Sequence, residues 1–323
     1  MMKRKLWCTA AAVAMTFQAA LGSASAQTYP DKPIRLIVGY APGGSVDIVA
    51  RIITEKIGDR MGQRFVIDNR PGGGTTIASQ LLAKSPPDGY TLMMADIAHG
   101  ANPALNDALP YNTEKDFTPV VQVAYFPAVL ATENSVPAKN LQEFLAYAKS
   151  KDGQLNYASS GVGSMNYLAA ELLKKQTGTN IVHIPYQSGG QATTALLGGF
   201  VQMLITTVPP IIGYAEKVKI LAVSRDKRMQ ALPNVPTFAE AGLPDFKVQL
   251  WQGLLAPAGT DKAIVDRLNK EFNAVLQLPE VQTRLSELGG DIVGGTPAQF
   301  ASFIDSEIAR WKAVILAEAR IKK

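Results

Sequence analysis

The chain offers little for bond-breaking chemistry and much for holding an anion. Its two histidines, His99 and His183, have no histidine or cysteine three or four positions away, the spacing that pairs metal ligands on a helix face. His183 lies in the apolar run 181–186 and reads as a strand-end residue. There is no Gly-x-Ser-x-Gly elbow, Walker loop or Gly-x-Gly-x-x-Gly fingerprint; Gly161-Val162-Gly163-Ser164 continues as Met165-Asn166, without a third glycine. Ser224-Arg225-Asp226-Lys227 matches Ser-x-x-Lys but sits among charges, as a solvated turn does. What remains is a set of small polar loops: 43–47, 96–99, 159–164, 186–190 and 206–208. Each alone also reads as plain turn chemistry. Converging, they would form a cleft rich in backbone donors and poor in titratable groups, suited to holding a small anion rather than transforming it.

The elements that must position these loops alternate. The first loop, Ala41-Pro42-Gly43-Gly44-Ser45-Val46-Asp47, follows an apolar β-branched strand over 34–39. It precedes a helix over 45–61, in which Val46, Val49, Ile53, Ile57 and Met61 repeat at helical spacing. Backbone N–H groups at such a helix start favour an anion. Strands are expected at 64–69, 90–95, 155–158, 181–184, 201–206 and 220–224, and helices at 75–84, from 140 onward, 164–176 and 191–197. Residues 261–277, 281–288 and 297–319 read as a helical C-terminal third. The alternation predicts an α/β protein with largely parallel sheets, whose ligands sit beyond the carboxyl ends of strands. Two extended segments, 119–130 and 246–256, are candidate crossings between lobes. They would make lobe one discontinuous (27–125 and 247–323) around lobe two (126–246).

Composition sets the compartment. Lys3, Arg4 and Lys5 precede a mostly apolar stretch, and Ala24-Ser25-Ala26 forms a small-x-small site, so residues 1–26 read as a signal peptide cleaved after Ala26. Its removal takes three of 32 basic side chains and none of the 27 acidic ones, lowering the formal balance from +5 to +2. No nucleic-acid footprint survives that correction. The single cysteine, Cys8, leaves with the signal, so the mature chain has neither a disulfide nor a thiol nucleophile.

The ordered motifs along the mature chain resemble one family. They include Tyr29-Pro30-Asp31-Lys32-Pro33-Ile34-Arg35, the Ala-Pro-Gly-Gly-Ser-x-Asp loop ending at Arg51, Asp68-Asn69-Arg70-Pro71-Gly72 and Pro87-Asp88-Gly89-Tyr90-Thr91-Leu92. Further on come Lys115-Asp116-Phe117-Thr118-Pro119-Val120, His183-Ile184-Pro185-Tyr186, Leu232-Pro233-Asn234-Val235-Pro236-Thr237, Trp251-Gln252-Gly253-Leu254 and Ala256-Pro257-Ala258-Gly259-Thr260. The chain resembles the tripartite tricarboxylate transporter receptors, the Bug-type extracytoplasmic solute-binding proteins. The resemblance implies a type II-like periplasmic binding protein of two α/β lobes, each a mostly parallel sheet flanked by helices, joined by a hinge. It implies a monomer that takes a small carboxylate and delivers it to membrane permease subunits, without cofactor, metal or catalysis.

Carried onto this chain, the resemblance places the ligand carboxylate on the first loop, at Gly43, Gly44, Ser45 and Asp47. The second-lobe loop with Ser160, Gly163 and Ser164 closes on the other end; Tyr186, Thr206 and Thr207 follow. The Ser45 and Ser164 hydroxyls are the expected main donors. Three positions depart from the family pattern. Gly39-Tyr40 stands for Pro-Phe, Gln187-Ser188 for Lys-Gly, and Asp96 for a small neutral residue. Asp96 either faces the cleft, repelling a second carboxylate and accepting from a ligand amine or hydroxyl, or only turns a strand end. Two other functions fit the same fold: a ligand sensor for a membrane kinase, and an exported hydrolase, against which the missing nucleophile and base pair counts.

Overall fold

The computed structural model describes residues 29–321; the expected signal peptide lies outside them. Its first strand, β1 (Ile34–Val38), has every residue but Arg35 buried and runs parallel to β2 (Phe65–Asn69) on one side and β3 (Thr91–Asp96) on the other. Between them α1 (Ser45–Met61) returns the chain over the sheet and ends at Gly62 in the left-handed conformation, a common helix stop. α2 (Thr76–Ala83) makes the second return, and α3 (Ile97–Leu105) follows β3 directly. Buried β-branched residues on two parallel pairs with covering helices are what the alternating pattern dictates.

The sheet then departs from pure parallel order. β4 (Phe117–Thr132) is 16 residues long and serves two sets of partners. From Phe117 to Pro127 it pairs antiparallel with β9 (Gln249–Pro257), which itself lies antiparallel to β3. From Ala128 to Thr132 it pairs antiparallel with β7 (Met203–Thr207), and over much the same stretch with β8 (Lys219–Val223). β7 continues parallel to β5 (Asn156–Ser159), and β5 parallel to β6 (Val182–Pro185). β10 (Asp291–Gly294) joins the first part of β4 antiparallel. The parallel strands at the two ends of the sheet are therefore joined through antiparallel pairing at β4 and β9.

The second lobe carries α4 (Leu141–Ser150), α5 (Met165–Thr177) and α6 (Gly189–Leu197); α7 (Lys262–Leu276), α8 (Pro279–Glu287) and α9 (Pro297–Ile321) follow β9. Its core gathers Val129, Leu196, Val201, Leu204 and Val208. In the first lobe Trp251 meets Phe300 and Phe303 edge-on, with centroids 5.8 and 5.5 Å apart. Both indole N–H groups, of Trp251 and Trp311, donate to the buried Glu307 carboxylate at 3.1 and 3.2 Å, so the polar edge of each ring is satisfied. Among the described residues, no helix is long and apolar enough to cross a membrane and no cluster of three metal-ligating side chains occurs.

Candidate functional site: a cleft at four helix starts

Four helices begin at one small cleft of about 30 Å³. Gly44 and Ser45 bring the start of α1, Asp96 that of α3, Ser164 and Met165 that of α5, and Gly189 that of α6. Each start carries roughly half a positive charge from its aligned peptides. Three are capped internally. Asp96 accepts from Ala98 N–H at 3.1 Å, Ser164 from Tyr167 N–H at 3.4 Å, and Ser188 from Gln191 N–H at 3.2 Å. α1 is different: Gly44 has no side chain, and no side-chain cap closes the helix. Orphan N–H groups at such a start are satisfied by water or by a ligand.

Ser45 stands at that start. Its Oγ accepts from Gln252 Nε2 at 3.2 Å, which leaves the hydroxyl hydrogen to donate into the cleft. Ser160 donates to Asn166 Oδ1 at 2.8 Å, and Asn166 Nδ2 donates to the Ile205 carbonyl at 2.7 Å, tying the second-lobe loop to the end of β7. Thr206 and Thr207 complete that wall, while Val46, Met165, Pro210 and Leu250 supply apolar surface.

Asp96 faces the cleft. Tyr40 Oη donates to its Oδ2 at 2.8 Å, and both side chains are buried. Burial pushes the Asp96 carboxyl up to about 6, although the Tyr40 and Ala98 bonds pull the other way. Tyr40 is raised well above its ordinary value, first by burial and then by the adjacent carboxylate. Among the described residues no lysine, arginine or histidine lines the cleft.

Of the residues singled out from the sequence, Gly44, Ser45, Asp96, Ser160, Ser164, Thr206 and Thr207 line the cleft, and Gly43, Asp47, Gly163 and Tyr186 do not. The Asp47 carboxylate turns away from the cleft. It accepts from Gly43 N–H and Arg51 Nε at 3.0 Å, Arg51 Nη2 at 2.9 Å and Asn69 Nδ2 at 3.0 Å. Burial raises this carboxyl, but those bonds outweigh it and hold it below its ordinary value. Gly43 turns the backbone at φ 88° behind the loop, and its carbonyl meets Gly190 across the lobes. Gly163 packs against the Asn102 side chain, and Tyr186 against the second-lobe core. The Ser164 hydroxyl also differs from expectation: it donates to the Gly161 carbonyl at 2.6 Å, so its proton is already used.

Val46 and Gly189 line the cleft from two of the loops expected to converge, although neither was singled out; Tyr40, Met165, Asn166, Pro210 and Leu250 line it from outside those loops. Of these five, Tyr40 carried a signal, as a departure beside the first loop.

A serine and histidine do meet. Ser159 Oγ lies 2.6 Å from His183 Nε2, across the parallel strands β5 and β6, so the nucleophile and base pair expected to be missing exists in geometry. Ser159 is fully buried, however, and its Oγ also accepts from Gly161 N–H at 2.9 Å. His183 stacks on Tyr157 at 5.0 Å, with its ring pushed down in pKa chiefly by burial. The pair braces the base of the 159–164 loop and does not line the cleft.

The lobes touch at the rims of the cleft. Ala41 N–H donates to the Gln187 carbonyl at 3.0 Å, and a Cβ at Gly190 would come within 2.8 Å of the Gly43 carbonyl oxygen. On another side, a Cβ at Gly74 would stand 2.0 Å from the Val162 carbonyl oxygen. These glycines let two backbones approach to contact.

The family model of the tripartite tricarboxylate transporter family receptor matches residues 49–319. The chain belongs to that family. BugT of Bordetella pertussis is 37% identical over 297 residues, covering 90% of each chain. MatC of Rhodopseudomonas palustris, solved with bound malate, superimposes with TM-score 0.86 at 35% identity, over 89% of this chain and all of that one. A second R. palustris protein, solved with adipate, gives 0.85 at 34% identity, over 88% of this chain and 97% of that one. Receptors of this family are periplasmic solute-binding proteins, and the two-lobed α/β fold is theirs.

Proposed function

We propose that this chain is a periplasmic receptor that captures a small organic carboxylate between its lobes and hands it to a tripartite tricarboxylate-type permease. The observation that carries the reading is the uncapped start of α1 beside the free Ser45 hydroxyl, inside a cleft with four helix starts and no basic side chain. Such a site neutralises an anion with preorganised dipoles, at little ordering cost. The malate and adipate held by two similar proteins support a carboxylate as cargo.

The ligand carboxylate sits against the N–H groups that open α1 and the Ser45 hydroxyl. The second-lobe wall of Ser160, Thr206 and Thr207 closes over it. β4 and β9 act as the hinge between lobe one (27–125 and 247–323) and lobe two (126–246). The mature protein begins after Ala26 and works as a monomer. A thermal-shift screen tests the reading, using mature protein refolded to strip carried ligand against small carboxylates and their amides. A ligand at 100 times its Kd adds about 2.7 kcal/mol of stability. A shift with an acid that vanishes with its amide is expected; no shift with any carboxylate would overturn the reading.

A further inference from the structure

Resting on the carboxylate reading above, we infer that the cargo is an amino carboxylate whose ammonium group is taken by Asp96, with Tyr40 holding that carboxylate in place. Of the residues that line the cleft, Asp96 alone carries a side chain of formal charge, and it is acidic. Asp96 and Tyr40 are 3% and 6% exposed, so water screens this charge poorly.

The Asp96 carboxylate has capacity to spare. Its Oδ2 accepts from Tyr40 and its Oδ1 from Ala98 N–H, while two carboxylate oxygens offer about four acceptor sites. An ammonium group brings donors for the remaining sites together with the missing positive charge. Capping α3 explains the Oδ1 bond alone. It does not explain why a tyrosine from just beyond the first strand is spent on Oδ2 at the wall of a binding cleft whose lining holds no lysine, arginine or histidine.

Two neighbouring parts of the cleft wall, linked through Gln252, are thus unlike. The start of α1 with Ser45 favours a negative group, and the Asp96–Tyr40 pair favours a positive one. A zwitterion satisfies both and leaves each charge paired. A second carboxylate set toward Asp96 would meet a like charge in low dielectric, which forces one of the two to take a proton. Val46, Met165 and Leu250 cover the carbon skeleton.

The test is a calorimetric titration at pH 7.5 of refolded mature protein with matched pairs: alanine and propionate, aspartate and succinate, glutamate and glutarate, 4-aminobutyrate and butyrate. Malate and adipate are included as diacids. At least one amino acid is expected to bind ten-fold or more tighter than its deaminated partner, and to bind better than either malate or adipate. Asp96→Asn keeps a side chain that caps α3, and it should erase the preference for the amino member while leaving the deaminated one at equal or better affinity. Tyr40→Phe, which keeps the ring, should reduce the same preference in part. A diacid that binds wild-type protein as tightly as the best amino acid overturns the inference and leaves the carboxylate reading standing. A preference that survives Asp96→Asn also overturns it. If neither amino acids, monoacids nor diacids bind, the carboxylate reading itself falls.

Discussion

Asp96 and His99 stand three residues apart at the start of α3, both fully enclosed, and burial moves their protonation in opposite directions. Asp96 is raised to about 6 and His99 is lowered to about 4. His99 lies edge-on to Phe117 at 4.9 Å, with no partner for its Nδ1.

The signs follow from which state holds the proton. For Asp96 the folded protein binds its proton more tightly than the unfolded chain, so stability falls as pH rises from about 4 to 6. For His99 the unfolded chain binds the proton more tightly, so stability falls as pH drops from about 6.5 to 4. Across that window the two slopes oppose and largely cancel, each worth on the order of 3 kcal/mol in full. Denaturant midpoints between pH 4 and 7 check this. Relative to wild type, Asp96→Asn should gain stability at pH 7 and lose that gain toward pH 4. His99→Leu should show the opposite slope. Two variants with parallel profiles would disprove the compensation.

Ser45→Ala removes the hydroxyl offered to the ligand and leaves the buried Gln252 amide without its Ser45 partner. Carboxylate affinity is expected to fall about ten-fold, and stability by about 1–3 kcal/mol. Titration and urea unfolding measure the two losses separately. An affinity equal to wild type would remove Ser45 from the site.

Asp47→Ala should weaken binding although Asp47 never faces the ligand. It strips the acceptor from Gly43 N–H, Asn69 and Arg51 together, loosening the loop that presents Ser45. A stability loss of about 3 kcal/mol is expected, since the partners of a buried carboxylate are left unmatched. Arg51→Ala, at a side chain 55% exposed, should lose far less. Equal losses for both would contradict the arrangement.

Gly74→Ala places a methyl group where the rims meet, against the Val162 carbonyl. The atom it meets is backbone and cannot swing aside, so besides the cost of about 1 kcal/mol for a left-handed alanine the rims must part to make room. Carboxylate affinity should fall ten-fold or more. Small-angle scattering should show no ligand-induced compaction in the variant and a clear one in wild type.

Much of this fold is legible in the sequence because its signals are local. The spacing of Val46, Val49, Ile53 and Ile57 fixes α1, and the run at 34–39 fixes β1 to within one residue. α3 is hidden, because Gly100 and Pro103 within Ile97–Leu105 read as a loop, while packing against the C-terminal helix holds it as a helix. β10 is too short to register. The site is only half legible. Polar loops at strand ends mark the right neighbourhood, and five of them do converge. Which atoms face the ligand depends on partners far away in the chain, such as Gln252 for Ser45 and Ile205 for Asn166. Asp47 could have been read correctly, since Arg51 one turn later is the i,i+4 partner that consumes it.

The dual pairing of β4 also orders the birth of the molecule. All strands of the second lobe are present once the chain has emerged through Val223, and they lie close together in sequence. The first lobe must wait, because Met94 of β3 pairs with Leu254 and Gln122 of β4 with Gly253. A chain threaded N-terminus first therefore exposes an unfilled slot between β3 and β4 until β9 arrives. One strand must enter the centre of a waiting sheet before β10 can complete the edge of β4, and it is at that open slot that a holding chaperone or an aggregating neighbour would compete.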